Sequence, residues 1–278
     1  MNEQTHRSEP SPVSNTSTRT NKEQIARWLA AIAPVVWPWH DVGMISVVIS
    51  ARNAARPLAA TLAALIPPAI DGIVRQVIVV DDGSSESTAK VADLAGTDIV
   101  ESAGDRGAQL AEGAARARFP WLLFLNAGTV LEDGWERSAT AFMQRVNCGE
   151  GALAASAFTL RLDDTGLAPR LIEGLIHLRC KIWRKPYGDQ GLLIPRQLFD
   201  AVGGYKNLPM MEDIDLVRRL GRHRLVMLDA TAVISAERYK RDGYLLRSMR
   251  SQVCQALYRA GLPMSLIARV DGKMETAR

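Results

Sequence analysis

The sequence predicts an α/β fold in which a largely parallel sheet is covered by helices on both faces. Three observations predict it. Apolar runs of strand length recur through the first half: "MISVVIS" (Met44–Ser50), "QVIVV" (Gln76–Val80), "DIV" (Asp98–Val100) and "WLLFL" (Trp121–Leu125). They are continuous in Val, Ile and Leu rather than alternating, as strands buried on both faces require. Helix-like stretches separate them, so ligands are expected in the crevice at the C-terminal ends of the strands.

The connecting helices are expected over Arg56 to Leu65, with Pro67 and Pro68 ending the first, then Ser87 to Leu94 and Gln109 to Arg118. The second half is less regular. "ALAASAFTL" (Ala152–Leu160) reads as a strand, Pro169 to Trp183 as a helix, "GLLIP" (Gly191–Pro195) as a strand and "EDIDLVRRL" (Glu212–Leu220) as a helix with Ile214, Leu216 and Val217 inward. "HRLVML" and "AVIS" finish the sheet. Three regions follow: a polar tail and a strap over 1–43, a folded domain over 44–235, and a basic C-terminal helical extension over 236–278.

The tail is rich in Ser, Thr, Asn and Pro and has little to bury, which predicts disorder to about Glu23. After it, "IARWLAAIAPVVWPWH" (Ile25–His40) is too short and too Pro-interrupted to span a bilayer, and it begins too far in for a secretory signal. It is read as a strap packed on the domain, with an interfacial anchor as the other reading.

A formal net charge of +4 does not suggest a dedicated nucleic-acid binder. The positive charge is concentrated, however: from Glu237 onward nine Lys or Arg face four acids. Such an end suits anionic lipid headgroups, a substrate diphosphate or plain solvent. Leu245, Met249, Val253 and Leu257 make an apolar stripe there that suits a helix packed on the domain, the preferred reading, or one lying on a membrane. The three cysteines, Cys148, Cys180 and Cys254, form neither a disulfide framework nor a zinc pattern, so a reducing cytoplasm is expected.

Three polar stretches fall where strands should end or helices begin. "SARN" (Ser50–Asn53) follows the first strand and "DDGSSEST" (Asp81–Thr88) the second. A carboxylate at such an edge can accept from a nucleobase N–H or a ribose hydroxyl, and the same residues are equally good turn and cap chemistry. Glu212 and Asp213 open a late helix, where a carboxylate gains from the helix dipole and can serve as a general base; ordinary N-terminal charge placement reads the same way.

Taken in order, "DDGS", "RGAQLAEGAARA" (Arg106–Ala117), "WLLFLNAGT" and "GDQGLLIPRQLFDAVGGYKNLPMMEDIDLVRRL" (Gly188–Leu220) resemble the family 2 glycosyltransferases of GT-A fold, in particular a bacterial branch carrying GDQG, GGY and MED in succession. The resemblance spans about Ile45 to Ala260. It implies a Rossmann-like mixed sheet, mostly parallel, flanked by helices, and an inverting transfer of sugar from a nucleotide donor, UDP-linked, to a hydroxyl acceptor that is lipid-linked in one reading. Ser50, Arg52, Asp81 and Asp82 would hold the uracil and ribose, with Arg106 and Asn126 beside them. Asp213 would be the base and Glu212 its orienting partner. Asp189, Gln190, Arg238 and Arg247 would face the diphosphate or the acceptor. A cytoplasmic protein is expected, peripheral at the inner face of a membrane in one reading.

The departures matter as much. Where the family carries an acid that contacts Mg²⁺ or Mn²⁺, this sequence has Gly128; Ala111 stands where Asn is common and Ser50 where Pro is. Metal could be held through the donor phosphates and another acid, Asp82, Asp189 or Glu132; arginines could replace it; or the protein could bind a nucleotide sugar as a non-catalytic partner. Against other classes, "SARNAARP" lacks the glycine-rich loop of a nucleotidyltransferase, and no G-x-G-x-x-G marks a dinucleotide oxidoreductase.

Overall fold

Seven consecutive buried residues, Ile45–Ala51, form β1, the strand on which the sheet is built. The computed structural model describes residues 44–84, 86–149, 152–184, 186 and 188–272. The tail and strap expected over 1–43 lie outside the described residues, as do the last six.

After β1 come α1 (Ala55–Ala63), α2 (Ile66–Ile70), β2 (Val74–Asp81), α3 (Glu86–Leu94), β3 (Asp98–Glu101), α4 (Arg106–Arg116) and β4 (Trp121–Asn126). A short β5 (Thr129–Leu131), α5 (Trp135–Asn147), β6 (Ala155–Asp163), α6 (Leu167–Trp183), β7 (Leu192–Pro195) and α7 (Arg196–Ala201) follow. The chain closes with α8 (Glu212–Leu220), β8 (Leu225–Ser235), α9 (Glu237–Asp242), α10 (Tyr244–Arg259) and α11 (Met264–Asp271). The strands form one eight-stranded sheet in the order β3-β2-β1-β4-β7-β6-β8-β5. Pairing is parallel from β3 to β4 and between β6 and β8, while β7 runs antiparallel to β4 and β6, and β5 to β8.

The two faces of β1 show why its run is unbroken. Ile45, Val47, Ile49 and Ala51 point to a core that includes Leu58 and Leu62 of α1 and Trp135, Phe142 and Met143 of α5. Val48 points to the opposite core, with Leu110 and Ala114 of α4 and Leu216 and Leu220 of α8. With both faces covered, alternation would have cost buried polar groups. Helix α4 sits especially close, because a Cβ on Gly113 would lie 2.5 Å from a Val48 methyl and 2.8 Å from one of Val80.

Several elements differ from the sequence-based expectation. Pro67 and Pro68 do not terminate a helix; they occupy the first turn of α2, where a missing N–H costs nothing. "HRLVML" and "AVIS" join into the single strand β8, with an irregular register against β6. Helix α4 begins at Arg106, three residues before the expected Gln109, and β6 lies three residues later than expected. Helix α5, unmarked by proline or a helix cap in the sequence, buries Trp135, Ala139, Thr140, Phe142 and Met143.

The C-terminal helices return to the body. Tyr258 Oη of α10 donates to Asp215 Oδ1 of α8 at 3.2 Å, and Cys254 packs with Met210 and Ile267. The stripe expected to pack on the domain does so only at Leu257, which is half-buried against that cluster. Leu245, Met249 and Val253 are 65%, 65% and 46% exposed, because α10 turns its Cys254 and Gln255 side inward instead.

Candidate active site

The C-terminal edge of the sheet collects the polar residues. In register, Ser50 of β1 lies beside Asn126 of β4, and Ala51 beside Asp81 of β2. Asp81 is buried; its Oδ2 accepts from the Ser84 N–H at 2.9 Å, while its Oδ1 has no hydrogen-bond partner, and neither does the buried Ser50 Oγ. Unsatisfied buried oxygens on two neighbouring strands at the sheet's C-terminal edge are costly unless a ligand completes them. On the rim, the exposed Arg52 pairs with Asp82 at 3.4 Å. The Ser84 hydroxyl accepts from the Asn53 N–H at 2.7 Å and holds the "SARN" turn against the "DDGS" turn.

A second cluster is assembled from four separate motifs. Glu212, at the start of α8, is buried, and its Oε1 accepts from Arg106 Nε at 2.5 Å. The same guanidinium donates to Asn126 Oδ1, and Asn126 Nδ2 donates to Asp189 Oδ1 at 2.8 Å. Burial works against the Arg106 charge, but the charges of Glu212, Asp189 and Asp213 outweigh it and raise its pKa above the ordinary arginine value. Asp213 Oδ2 accepts from the Gly188 N–H at 2.5 Å and its Oδ1 from the Ile214 N–H at 2.8 Å. Burial, and then the charge of Glu212, push the Asp213 carboxyl up to about 6, despite those two N–H groups and Arg106.

Backbone geometry holds these groups in place. Met211, with φ 64, turns the chain sharply into α8. A Cβ on Gly107 would lie 1.9 Å from the Lys206 carbonyl oxygen, so only glycine lets the start of α4 meet the 206–208 loop, where Gly107 N–H donates to the Leu208 carbonyl at 3.1 Å. Arg219 of α8 ties the same loop down through the carbonyls of Val202 and Gly204, the latter at 2.6 Å, and through Asp215 at 2.7 Å.

Arg106, Asn126, Asp189, Glu212 and Asp213 thus come together. Gln190 does not join them; it is buried and donates to the Phe158 carbonyl at 2.9 Å. Arg247 lies nearby, 3.6 Å from Asp242, and its charge and that of Asp189 both act on the Tyr239 phenol. Arg238 is exposed on α9. One wall of the cleft was not singled out from the sequence: the buried Tyr205, stacked edge-on against Phe124 at 4.9 Å. Its phenol is raised well above the usual tyrosine range by burial and the charges of Glu212 and Asp213. The signal for it was the "GGY" preceding "MED".

The donor set does not fit a divalent cation held by protein carboxylates. Gly128 has φ +100, its N–H donates to Thr61 Oγ1 at 2.8 Å, and a Cβ there would lie 3.2 Å from Pro57 Cβ. Of the other acids considered, Asp82 is paired with Arg52, Glu132 with Arg161, and Asp189 accepts from Asn126. No three His, Cys, Asp or Glu side chains cluster as a metal site among the described residues.

Residues 46–157 match the family model described as glycosyl transferase family 2. This stretch is similar to the glycosyl transferase family 2 sequences. The matched segment runs from β1 into β6 and contains Ser50, Asp81, Asp82, Arg106 and Asn126; Glu212 and Asp213 lie beyond it.

Solved structures extend the likeness over most of the chain. Mannosyl-3-phosphoglycerate synthase from Rubrobacter xylanophilus aligns with a TM-score of 0.54 at 18% identity, over 81% of this chain and 77% of that one. Glucosyl-3-phosphoglycerate synthase from Mycobacterium tuberculosis aligns with a TM-score of 0.53 at 21% identity, over 81% and 83%. The latter enzyme crystallised with Mn²⁺, UDP and glucosyl-3-phosphoglycerate gives 0.52 at 18%, over 80% and 81%. At these identities the shared property is the GT-A fold, a mixed and mostly parallel sheet flanked by helices. No curated protein matches the chain in sequence.

Proposed function

We propose that the protein is an inverting glycosyltransferase that moves a sugar from a nucleoside-diphosphate donor to a hydroxyl acceptor, with Asp213 as general base. The observation that carries this reading is the division of labour between Glu212, neutralised by Arg106, and Asp213, a carboxyl at about 6 lining the same cleft. An acceptor hydroxyl loses its proton to Asp213 as its oxygen bonds to the anomeric carbon, while the bond from that carbon to the diphosphate oxygen breaks and the nucleoside diphosphate departs. A single displacement inverts the anomeric centre, and Glu212, held by Arg106, is not free to act as a second nucleophile.

Ser50 Oγ and Asp81 Oδ1, buried oxygens without partners at the C-terminal edge of the sheet, are where a uracil imide or a ribose hydroxyl would bind. The bound UDP in the mycobacterial neighbour favours a uridine nucleotide. Negative charge developing on the diphosphate would be met by Arg106 and Arg247, so no step is assigned to a metal ion.

The test is turnover of UDP-sugars by wild type and Asp213→Asn with Mg²⁺, Mn²⁺ or chelator, alongside UDP binding. Chelator-resistant turnover lost in Asp213→Asn, with UDP binding retained, is expected; an active Asp213→Asn protein overturns the assignment. A second reading, a nucleotide-sugar-binding partner without activity, is favoured by the metal-strand turn at Gly128, which offers no side-chain ligand. It predicts UDP binding with no turnover under any metal.

A further inference from the structure

Helices α6 and α10 pack against each other and leave an apolar stripe on each uncovered. On α6, Leu167, Leu171, Leu175, Leu178 and Ile182 follow one another at four- and three-residue steps, the spacing of a single helical face. They are between 51% and 91% exposed, whereas Ile172 and Cys180 of the same helix are buried against the sheet side. On α10, Leu245, Leu246, Met249 and Val253 repeat the pattern at 46% to 65% exposure. Scattered surface leucines are ordinary, but two adjoining stripes on neighbouring helices are an interaction surface.

The charge around the stripes selects the occupant. Besides the cleft-side Arg247, helix α10 carries Arg250 and Arg259 and no acid. On α6 and just beyond it, Lys181 and Arg184 are exposed, while the one acid of the helix, Glu173, is already engaged by Arg170 at 2.6 Å. A second copy of the chain docked on a two-fold axis would set basic rim against basic rim, which like-charge repulsion opposes. Exposed leucines flanked by Lys and Arg are instead the composition of helices that lie in the interface of an anionic membrane. Among the described residues no helix is long and apolar enough to cross one, so contact would be along the surface.

We propose that the α6/α10 face docks on an anionic lipid bilayer. The site of the sugar chemistry is not required for this, and the docking test is independent of the catalytic reading.

The experiment is co-sedimentation of the full chain with vesicles of phosphatidylcholine alone or of phosphatidylcholine and phosphatidylglycerol in equal parts. Binding to the anionic vesicles only, weakening with salt, is expected. Leu175→Glu with Met249→Glu, both at exposed positions, should abolish it with an unchanged circular dichroism spectrum, and Lys181→Gln with Arg250→Gln should weaken it by about tenfold or more. Absence of binding to anionic vesicles overturns the proposal. So does binding that survives the Glu pair, which would point to the tryptophan-rich stretch 25–40, and so does a Glu pair that only turns a dimer into a monomer in sedimentation velocity.

Discussion

Glu212 and Asp213 are adjacent in the chain yet held by different partners: Glu212 by the Arg106 guanidinium at 2.5 Å, and Asp213 by the backbone N–H groups of Gly188 and Ile214. A cation neutralises the first acid in place. The second is buried beside that acid, and burial, followed by the charge of Glu212, pushes its carboxyl up against the opposing pull of the two N–H groups and Arg106.

Turnover should therefore rise with pH through about 6, since the base must be ionised to accept a proton. Glu212→Gln removes the neighbouring charge and should move this limb downward, toward the ordinary carboxylate range. A pH profile of kcat/KM on both proteins checks it, and an unmoved limb would assign the titration to another group.

The same shift has a stability sign. A carboxyl raised in the folded state contributes stability that is fully present below its unfolded value of 3.8 and is lost as pH rises through about 6. At pH 7 the ionised Asp213 is thus a cost, offset in part by its two N–H donors. Asp213→Asn should show a smaller loss of stability between pH 4 and pH 7 than wild type in urea titrations, whatever its absolute stability.

Replacing Gly128 by Asp restores a carboxylate in the sequence but not in the fold. At φ +100, with Pro57 Cβ 3.2 Å from the new Cβ, the substitution should destabilise by roughly 1–3 kcal/mol and not create metal dependence. Urea unfolding and Mn²⁺ titration read the two effects separately, and a stable, Mn²⁺-activated variant would contradict the turn geometry.

Arg247→Ala should slow transfer by about tenfold to a thousandfold, and Arg238→Ala by much less. Arg247 is 24% exposed and anchored at Asp242, whereas Arg238 points to solvent. Steady-state rates on the two single variants decide it; equal losses would place the exposed arginine at the diphosphate too.

Arg219→Ala should cost about 2–4 kcal/mol, because it removes at once the donor to the carbonyls of Val202 and Gly204 and the cation on Oδ2 of the buried Asp215, which keeps only its Oδ1 partners Tyr258 and Lys206. Thermal unfolding measures it. Lysine, with a single ammonium, should recover only part of the loss.

The strands around β1 were legible because burial on both faces writes itself as unbroken Val, Ile and Leu; Ile45–Ala51 could hardly be anything else. The fate of Pro67 and Pro68 was not, since proline ends one helix and begins another with equal ease. The residues of the site were legible as separate motifs, but their wiring was not: Arg106 reaches Glu212 across 106 positions and Asn126 across 20, and spacing carries no record of such long-range partners. The exposed stripe of α10 was visible as a period, while which side of it faces inward depended on Cys254 meeting Ile267 in another helix.

The close approach at Gly107 has a dynamic consequence. With its amide bonded to the Leu208 carbonyl and its α-carbon against Lys206, the first turn of the Arg106 helix cannot lift away while the loop before α8 stays in place. The two segments form one opening unit, so amide hydrogens at Gly107 and Gln109 should exchange with deuterium at the same rate as those leading into α8. Whatever loosens the cleft around Asp213 also releases the arginine that neutralises its neighbour.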